Sequence, residues 1–171
     1  IACPHCSVLA KYMTLVSGNT FGAKVWTDGK HIAPMLPRPP AVVECHSCGE
    51  CFWLADARKV GSLEPYGSGG GDVDPAWAAA PYVLEPTEEA YHRALRKGLA
   101  VSPEQQRTLR ILAWWRGNDA VRDTPNPEDA GVACGSEARR ENLEALARLL
   151  DEGNENDRVM KAEVFRELGD F

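Results

Sequence analysis

Two pairs of cysteines are the residues of this chain with the clearest capacity for chemistry. Cys3 and Cys6 form the first pair and Cys45 and Cys48 the second, each with two residues between the cysteines. This spacing lets one tight turn present two thiolates, and two such turns complete the tetrahedron of sulfurs that zinc accepts. The sequence therefore predicts one structural Zn²⁺ held by these four residues.

A fifth cysteine allows an alternative assignment of the two metal ligands in the second pair. Cys51 follows Cys48 at the same spacing, so Cys48 and Cys51 could instead be the two ligands. Gly49 favours Cys45 and Cys48, because a glycine just after the second ligand can adopt the left-handed conformation that the turn requires. On this interpretation Cys51 is a small buried residue at the beginning of a strand.

A site of four thiolates has no open position for water, and this disfavours catalysis at the metal. Its expected role is to stabilise a module whose apolar core is too small to fold alone. The sequence shows no grouping typical of a nucleophilic triad either. We therefore expect a protein that is not an enzyme.

The two cysteine units resemble the knuckles of rubredoxin-like zinc ribbons, which have this C-P-x-C and C-x-x-C-G style. The resemblance covers residues 3–6 and 45–49, and it departs at Ser7, where rubredoxins carry glycine. It also departs in the 38 residues of segment 7–44 between the pairs, where about 15–20 are usual. The resemblance implies a small β module around one metal. The departures favour structural zinc, and a redox-active iron in the same site is the alternative.

The elements around the cysteines predict an α+β protein. Short apolar segments and turn signals predict a zinc-ribbon β module over residues 1–60, with an insertion in its Pro-rich part at 34–40. A Gly-rich connector follows over 61–86. From residue 87 the apolar period becomes helical and predicts about four helices over 87–171, arranged as helical hairpins. Helix starts are expected at Thr87, Ser102 and Ser136, and helix ends at Gly98, Gly117 and Gly169.

The end of the chain resembles the first helix and turn of a tetratricopeptide-type repeat. Ala162, Leu168, Gly169 and Phe171 lie where that family places alanine, leucine, glycine and an aromatic residue. The sequence shows no 34-residue repeat upstream of this fragment. The whole arrangement also resembles bacterial proteins of uncharacterised function that join a zinc ribbon to a helical segment.

Trp114 and Trp115 are neighbours in the second predicted helix of this region. Side chains at adjacent helix positions point about 100° apart, so the two rings cannot share one face. We expect one tryptophan in the core and the other against a second surface. The alternative is an interaction hot spot for a partner.

Charge and hydropathy argue against two classes of partner, nucleic acids and membranes. The net charge is −6, which disfavours general affinity for nucleic acid. The ribbon itself is mildly basic, so an alternative is nucleic-acid binding through Lys11, Lys24, Lys30, Arg38 and Lys59. No apolar run is long enough to span a membrane. Cysteines in metal-type spacing favour a reducing compartment, and we expect a cytoplasmic protein.

Together these features predict a zinc-binding interaction protein. The zinc ribbon would be structural, and the helical hairpins would offer an apolar groove to a peptide or a partner protein.

Overall fold

The computed structural model describes residues 1–63, 74–122 and 136–170. Short antiparallel strand pairs precede a helical region, which confirms the predicted α+β class. The strands and helices are β1 (Lys24–Val25), β2 (His31–Ile32), β3 (Val42–Glu44), β4 (Cys51–Trp53), α1 (Pro75–Ala79), α2 (Glu88–Arg96), α3 (Pro103–Arg122), α4 (Glu137–Leu149) and α5 (Glu155–Leu168). No described helix is both long and apolar enough to cross a membrane.

Contacts divide the chain into two compact units. The first unit comprises residues 1–16 and 38–86, and the second comprises 17–37 and 87–171. This division differs from the predicted boundary at residue 60, because the segment inserted between the cysteine pairs groups with the helices. The insertion is also longer than the Pro-rich part at 34–40 that the sequence indicated.

The first unit is built on the antiparallel pair β3–β4, in which Val43 lies opposite Phe52. Val42 and Val43 are fully buried, and Phe52 is 4 % exposed. Around them pack Cys3, Cys45 and Ala57. The core of the first unit is therefore small, and two of its members are predicted metal ligands.

The described part of the predicted connector belongs to the fold of the first unit. The backbone N–H of Lys11 donates to the carbonyl of Pro81 at 2.9 Å, and the N–H of Val83 donates back to the carbonyl of Lys11 at 2.9 Å. The N–H of Glu44 donates to the carbonyl of Leu84 at 2.9 Å. Residues 81–84 thus extend the ribbon as an edge segment. The Gly-rich run at 66–72 that led to the connector prediction lies outside the described residues.

Capping interactions begin the helices of the second unit where the sequence predicts. The Thr87 hydroxyl accepts from the N–H of Ala90 at 3.1 Å, and Ser136 caps α4 in the same way. At α3 the Ser102 hydroxyl accepts from the N–H of Gln105, whose side chain accepts from the N–H of Val101 at 2.9 Å. These predictions are confirmed because they depend only on local contacts.

The predicted end of helix α3 at Gly117 is wrong, because the helix continues to Arg122. A Cβ atom at position 117 would overlap the guanidinium of Arg139 and the carboxylate of Glu88. The glycine therefore makes room for an ion pair against the helix, and its position within a regular helix has a packing reason. Helices α3, α4 and α5 form the apolar core of the second unit, through Trp114, Leu143, Leu146, Met160 and Val164.

Buried charges join segment 17–37 to helix α3. Asp28 is 2 % exposed, and its carboxylate pairs with Arg122 and accepts from Asn118 Nδ2 at 2.9 Å. The Lys30 ammonium contacts the Asp119 carboxylate at 2.5 Å. Buried charges require such partners, so these contacts explain why the insertion groups with the helices.

Replacing Asp28 tests this dependence. Asp28→Asn is expected to lower the free energy of unfolding by about 3 kcal/mol, because it leaves the buried Arg122 guanidinium with one carboxylate fewer. Urea denaturation measures the change. The matched control is Asp170→Asn, which alters an exposed carboxylate of the same unit. Equal stability of the two variants would contradict the assignment.

Candidate metal centre

The first cysteine pair lies in a tight turn closed by backbone hydrogen bonds. The N–H of Cys3 donates to the carbonyl of Val8 at 2.9 Å, and the N–H of Ser7 donates to the carbonyl of Cys3 at 2.9 Å. These two bonds fold the chain back on itself, so Cys3 and Cys6 present their sulfurs to the same side. We call residues 3–8 the first knuckle.

The second cysteine pair repeats this pattern. The N–H of Cys45 donates to the carbonyl of Glu50 at 3.0 Å, and the N–H of Gly49 donates to the carbonyl of Cys45 at 2.9 Å. Residues 45–50, the second knuckle, therefore have the same hydrogen bonds at the same spacing as the first. The same backbone turn therefore positions the cysteines of both pairs.

The residue after the second cysteine of each knuckle has a positive φ. Gly49 has φ +69° and Ser7 has φ +61°. Among the described residues Ser7 is the one non-glycine with positive φ. The departure from the glycine of rubredoxin knuckles therefore leaves the turn intact, at a cost of about 1 kcal/mol for a side chain in the left-handed region.

The two knuckles bring the four predicted ligands together. All four Sγ atoms lie within 4.8 Å of one another. The Cys3 and Cys48 sulfurs are 3.9 Å apart, and those of Cys6 and Cys45 are 3.6 Å apart. A tetrahedral zinc with Zn–S bonds of about 2.3 Å requires sulfurs about 3.8 Å apart. The arrangement fits a metal ion of this size.

Backbone N–H groups of the knuckles point at the sulfurs. The N–H of His5 donates to Cys3 Sγ at 3.4 Å. In the second knuckle, burial acts to raise the pKa of Cys45, but the N–H groups of Cys48 and Ser47 and the neighbouring thiols outweigh it and lower the pKa to about 7. A thiolate therefore forms readily at this position.

Ionisation of a further thiol in the same cluster is opposed. The N–H of Glu50 favours the thiolate of Cys48, but burial and the other three sulfurs together raise its pKa to about 12. Like charges crowded into one site resist full ionisation, and a bound divalent cation removes that resistance. The electrostatics of the cluster are those of a cation site.

The two cysteines of each knuckle differ in exposure. Cys3 and Cys45 are buried, whereas Cys6 and Cys48 are exposed. One ligand of each pair thus anchors the site to the core of the first unit, and the other faces solvent. The histidines within the knuckles, His5 and His46, are exposed and do not join the sulfur cluster.

Cys51 lies outside the described cluster. It begins strand β4 opposite Glu44 and is 7 % exposed. The second knuckle already provides two sulfurs without it. This placement matches the interpretation of Cys51 as a buried residue at the beginning of a strand.

The two tryptophans have separate structural roles in the second unit. Trp114 is fully buried, and its indole N–H donates to Glu167 at 3.0 Å. Trp115 is partly buried, and its indole N–H donates to the carbonyl of Asp28 at 2.8 Å. As expected, one ring fills the core and the other covers a second surface, here segment 17–37. This burial argues against a hot spot at Trp114.

Comparison with known proteins gives no relative: no family model matches the chain, and no curated protein or solved structure matches it significantly. The resemblances to rubredoxin-like ribbons and to a tetratricopeptide-type repeat therefore rest on the quoted residues alone. Phe171, one of the four residues of the second resemblance, lies outside the described residues.

The matching positions of Ser7 and Gly49 give a paired test of the knuckle geometry. Ser7→Gly is expected to raise the stability of the first unit by about 1 kcal/mol, and Gly49→Ala to lower it by a similar amount. An added Cβ at position 49 would meet only the Glu44 carboxylate, at 3.9 Å, so the loss would come from the backbone conformation. Chemical denaturation at a fixed zinc concentration measures both changes. A destabilising Ser7→Gly would show that the two turns are not equivalent.

Proposed function

We propose that this is a non-catalytic zinc-binding protein, with a structural four-cysteine site and a second unit that binds another protein. The observation that carries the first part is the gathering of four cysteine sulfurs within 4.8 Å. Four thiolates complete the coordination shell of zinc, so no position is left for a substrate or an activated water.

The size of the first unit supports a structural role for the metal. Strands β3 and β4 have three residues each. The core contains few large apolar side chains besides Val42, Val43 and Phe52. Such a core gives little stability by itself, and metal binding would supply the remaining folding free energy.

Two of the basic residues considered for nucleic-acid binding have other partners. The Lys11 ammonium donates to the carbonyl of Ala78 at 2.9 Å and lies 5.1 Å from the centre of the Tyr82 ring. Lys30 pairs with Asp119. The five residues are also split between the two units. We therefore prefer a protein partner to a nucleic acid.

Exposed apolar side chains in segment 17–37 support a protein partner. Phe21 is 80 % exposed, Val25 71 % and Met35 57 %. The segment is held in place, since Trp26 lies 5.0 Å below the Arg122 guanidinium and Asp28 is buried. Contiguous exposed apolar side chains mark interaction surfaces, and three such side chains on one anchored segment could form a patch of this kind. We place the partner's surface here, in preference to the predicted apolar groove between helices.

Metal analysis tests the zinc site. The purified protein is expected to carry one zinc, and chelation should unfold the first unit. Cys48→Ala should lose the metal, whereas the matched variant Cys51→Ala should retain it. Zinc should also dissociate as the pH falls, because protons compete for the four thiolates. Loss of metal from Cys51→Ala alone would contradict the ligand assignment, and a coloured protein containing iron would favour the redox alternative.

Site-specific photo-crosslinking tests the protein partner. A photoreactive residue at position 25 is expected to capture a discrete protein in the source cell. The same residue at Val159, which is 53 % exposed on α5, is the control and should not capture it. Equal capture at the two positions would contradict a specific surface in segment 17–37.

A further inference from the structure

A polar cleft lies between helices α2, α3 and α4 of the second unit. Its volume is about 260 Å³. The polar side chains that line it are His92, Arg96, Gln106, Arg110, Glu141 and Asn142. The cleft is separate from the cysteine cluster, which belongs to the first unit.

The two arginines of the cleft differ from three partly buried arginines elsewhere in the same unit. Arg107, Arg122 and Arg139 each contact a carboxylate. Within the described parts of the chain, Arg96 and Arg110 form no ion pair, although the protein as a whole has an excess of acidic residues. Two guanidinium groups thus line one cleft without an ion-pair partner among the described residues.

Arg110 is the more confined of the two. It is half-buried, and its side chain donates to the Asn142 amide oxygen at 3.3 Å. Asn142 is itself 2 % exposed and donates to the Arg110 carbonyl at 3.0 Å. Burial and the nearby charge of Arg148 lower the pKa of Arg110. A fixed, uncompensated cation of this kind is stabilised by an anion placed beside it.

His92 adds a buried polar atom with unused hydrogen-bonding capacity. The residue is 7 % exposed, and its Nε2 atom has no hydrogen-bond partner. The Glu88 carboxylate lies 3.6 Å from this atom, beyond a normal hydrogen-bond distance. Burial acts to raise the pKa of Glu88, but His92 and Arg139 outweigh it and lower that pKa, so His92 is in electrostatic contact with one carboxylate. Buried polar atoms without a hydrogen-bond partner are uncommon in folded proteins, and a bound water or ion is one explanation for them.

One acidic group opposes an anion in this cleft. Glu141 also lines it and is exposed. The two guanidinium groups outnumber this carboxylate, so the cleft remains cationic. Replacing Glu141 by an uncharged residue should therefore strengthen anion binding, whereas replacing an arginine should weaken it. These opposite effects provide a control for the binding experiment.

We infer that this cleft binds a small ligand through a phosphate or carboxylate group. Guanidinium groups bind both oxyanions through paired, charge-assisted hydrogen bonds. The cleft is smaller than the usual range for drug-sized ligands, about 300–1,000 Å³. The ligand is therefore a small anion or the anionic end of a longer molecule.

Calorimetric titration of the full chain with inorganic phosphate, and separately with acetate, tests this site at constant ionic strength. At least one anion should bind saturably. Arg96→Gln and Arg110→Gln should each weaken binding about tenfold, and Glu141→Gln should strengthen it. Arg140→Gln, which removes an exposed arginine paired with Glu144 on the same helix, should change nothing. Binding of phosphate alone or of acetate alone identifies which oxyanion the cleft takes.

Two results would overturn the proposal. One is the absence of saturable binding by either anion up to about 20 mM. The other is an equal loss of binding in Arg140→Gln and Arg96→Gln, which would indicate a nonspecific ionic effect. Arg96 is exposed, so its replacement should leave the fold intact. If Arg110→Gln does not fold, Arg96→Gln and Glu141→Gln still decide the outcome.

Discussion

Crowding of four sulfurs constrains the first unit more than any apolar contact within it. The sulfurs lie within 4.8 Å of one another, and four thiolates at that separation repel strongly. A divalent cation at their centre replaces the repulsion with metal–sulfur bonds. The N–H groups that point at the sulfurs favour the thiolate form before a metal arrives. A metal bound there would supply stability that the small core around Val43 and Phe52 lacks.

The second unit depends on electrostatics of another kind. Its buried carboxylates are compensated by arginines: Asp28 by Arg122, and Asp157 by Arg107. These contacts surround the apolar core and join segment 17–37 to the helices. The half-buried Arg110 of the cleft differs from this pattern, because it forms no ion pair with any described residue.

Local features of both units were predictable from the sequence. The cysteine spacing indicates the four clustered sulfurs, because a C-x-x-C turn is closed by its own backbone hydrogen bonds. The caps at Thr87 and Ser136 were predictable for the same reason. The grouping of segment 17–37 with the helices was not, since Asp28 finds Arg122 across 94 positions of sequence. The helix end predicted at Gly117 was wrong because a glycine occurs both at helix ends and at positions where another group packs closely against a helix. The sequence alone does not distinguish the two cases.

The cleft also depends on contacts that a single sequence does not reveal. Arg96 has the pattern of a solvated helix face when α2 is considered alone. Its lack of a carboxylate becomes visible only when α3 and α4 are placed beside it. The same holds for residues 81–84, whose backbone pairing with Lys11 and Glu44 has no local signature.

The separation of the two knuckles in sequence has a consequence for the entropy of loop closure. The 38 residues between the cysteine pairs close a longer loop than the usual spacer, but the added cost grows only with the logarithm of loop length and is about 0.7 kcal/mol. Zinc binding to such sites supplies about 10–16 kcal/mol. In a ribbon closed by a metal, the loop between the cysteine pairs can therefore be long enough to pack with another unit, at a small cost in folding free energy. In this chain residues 17–37 of that loop group with the helices.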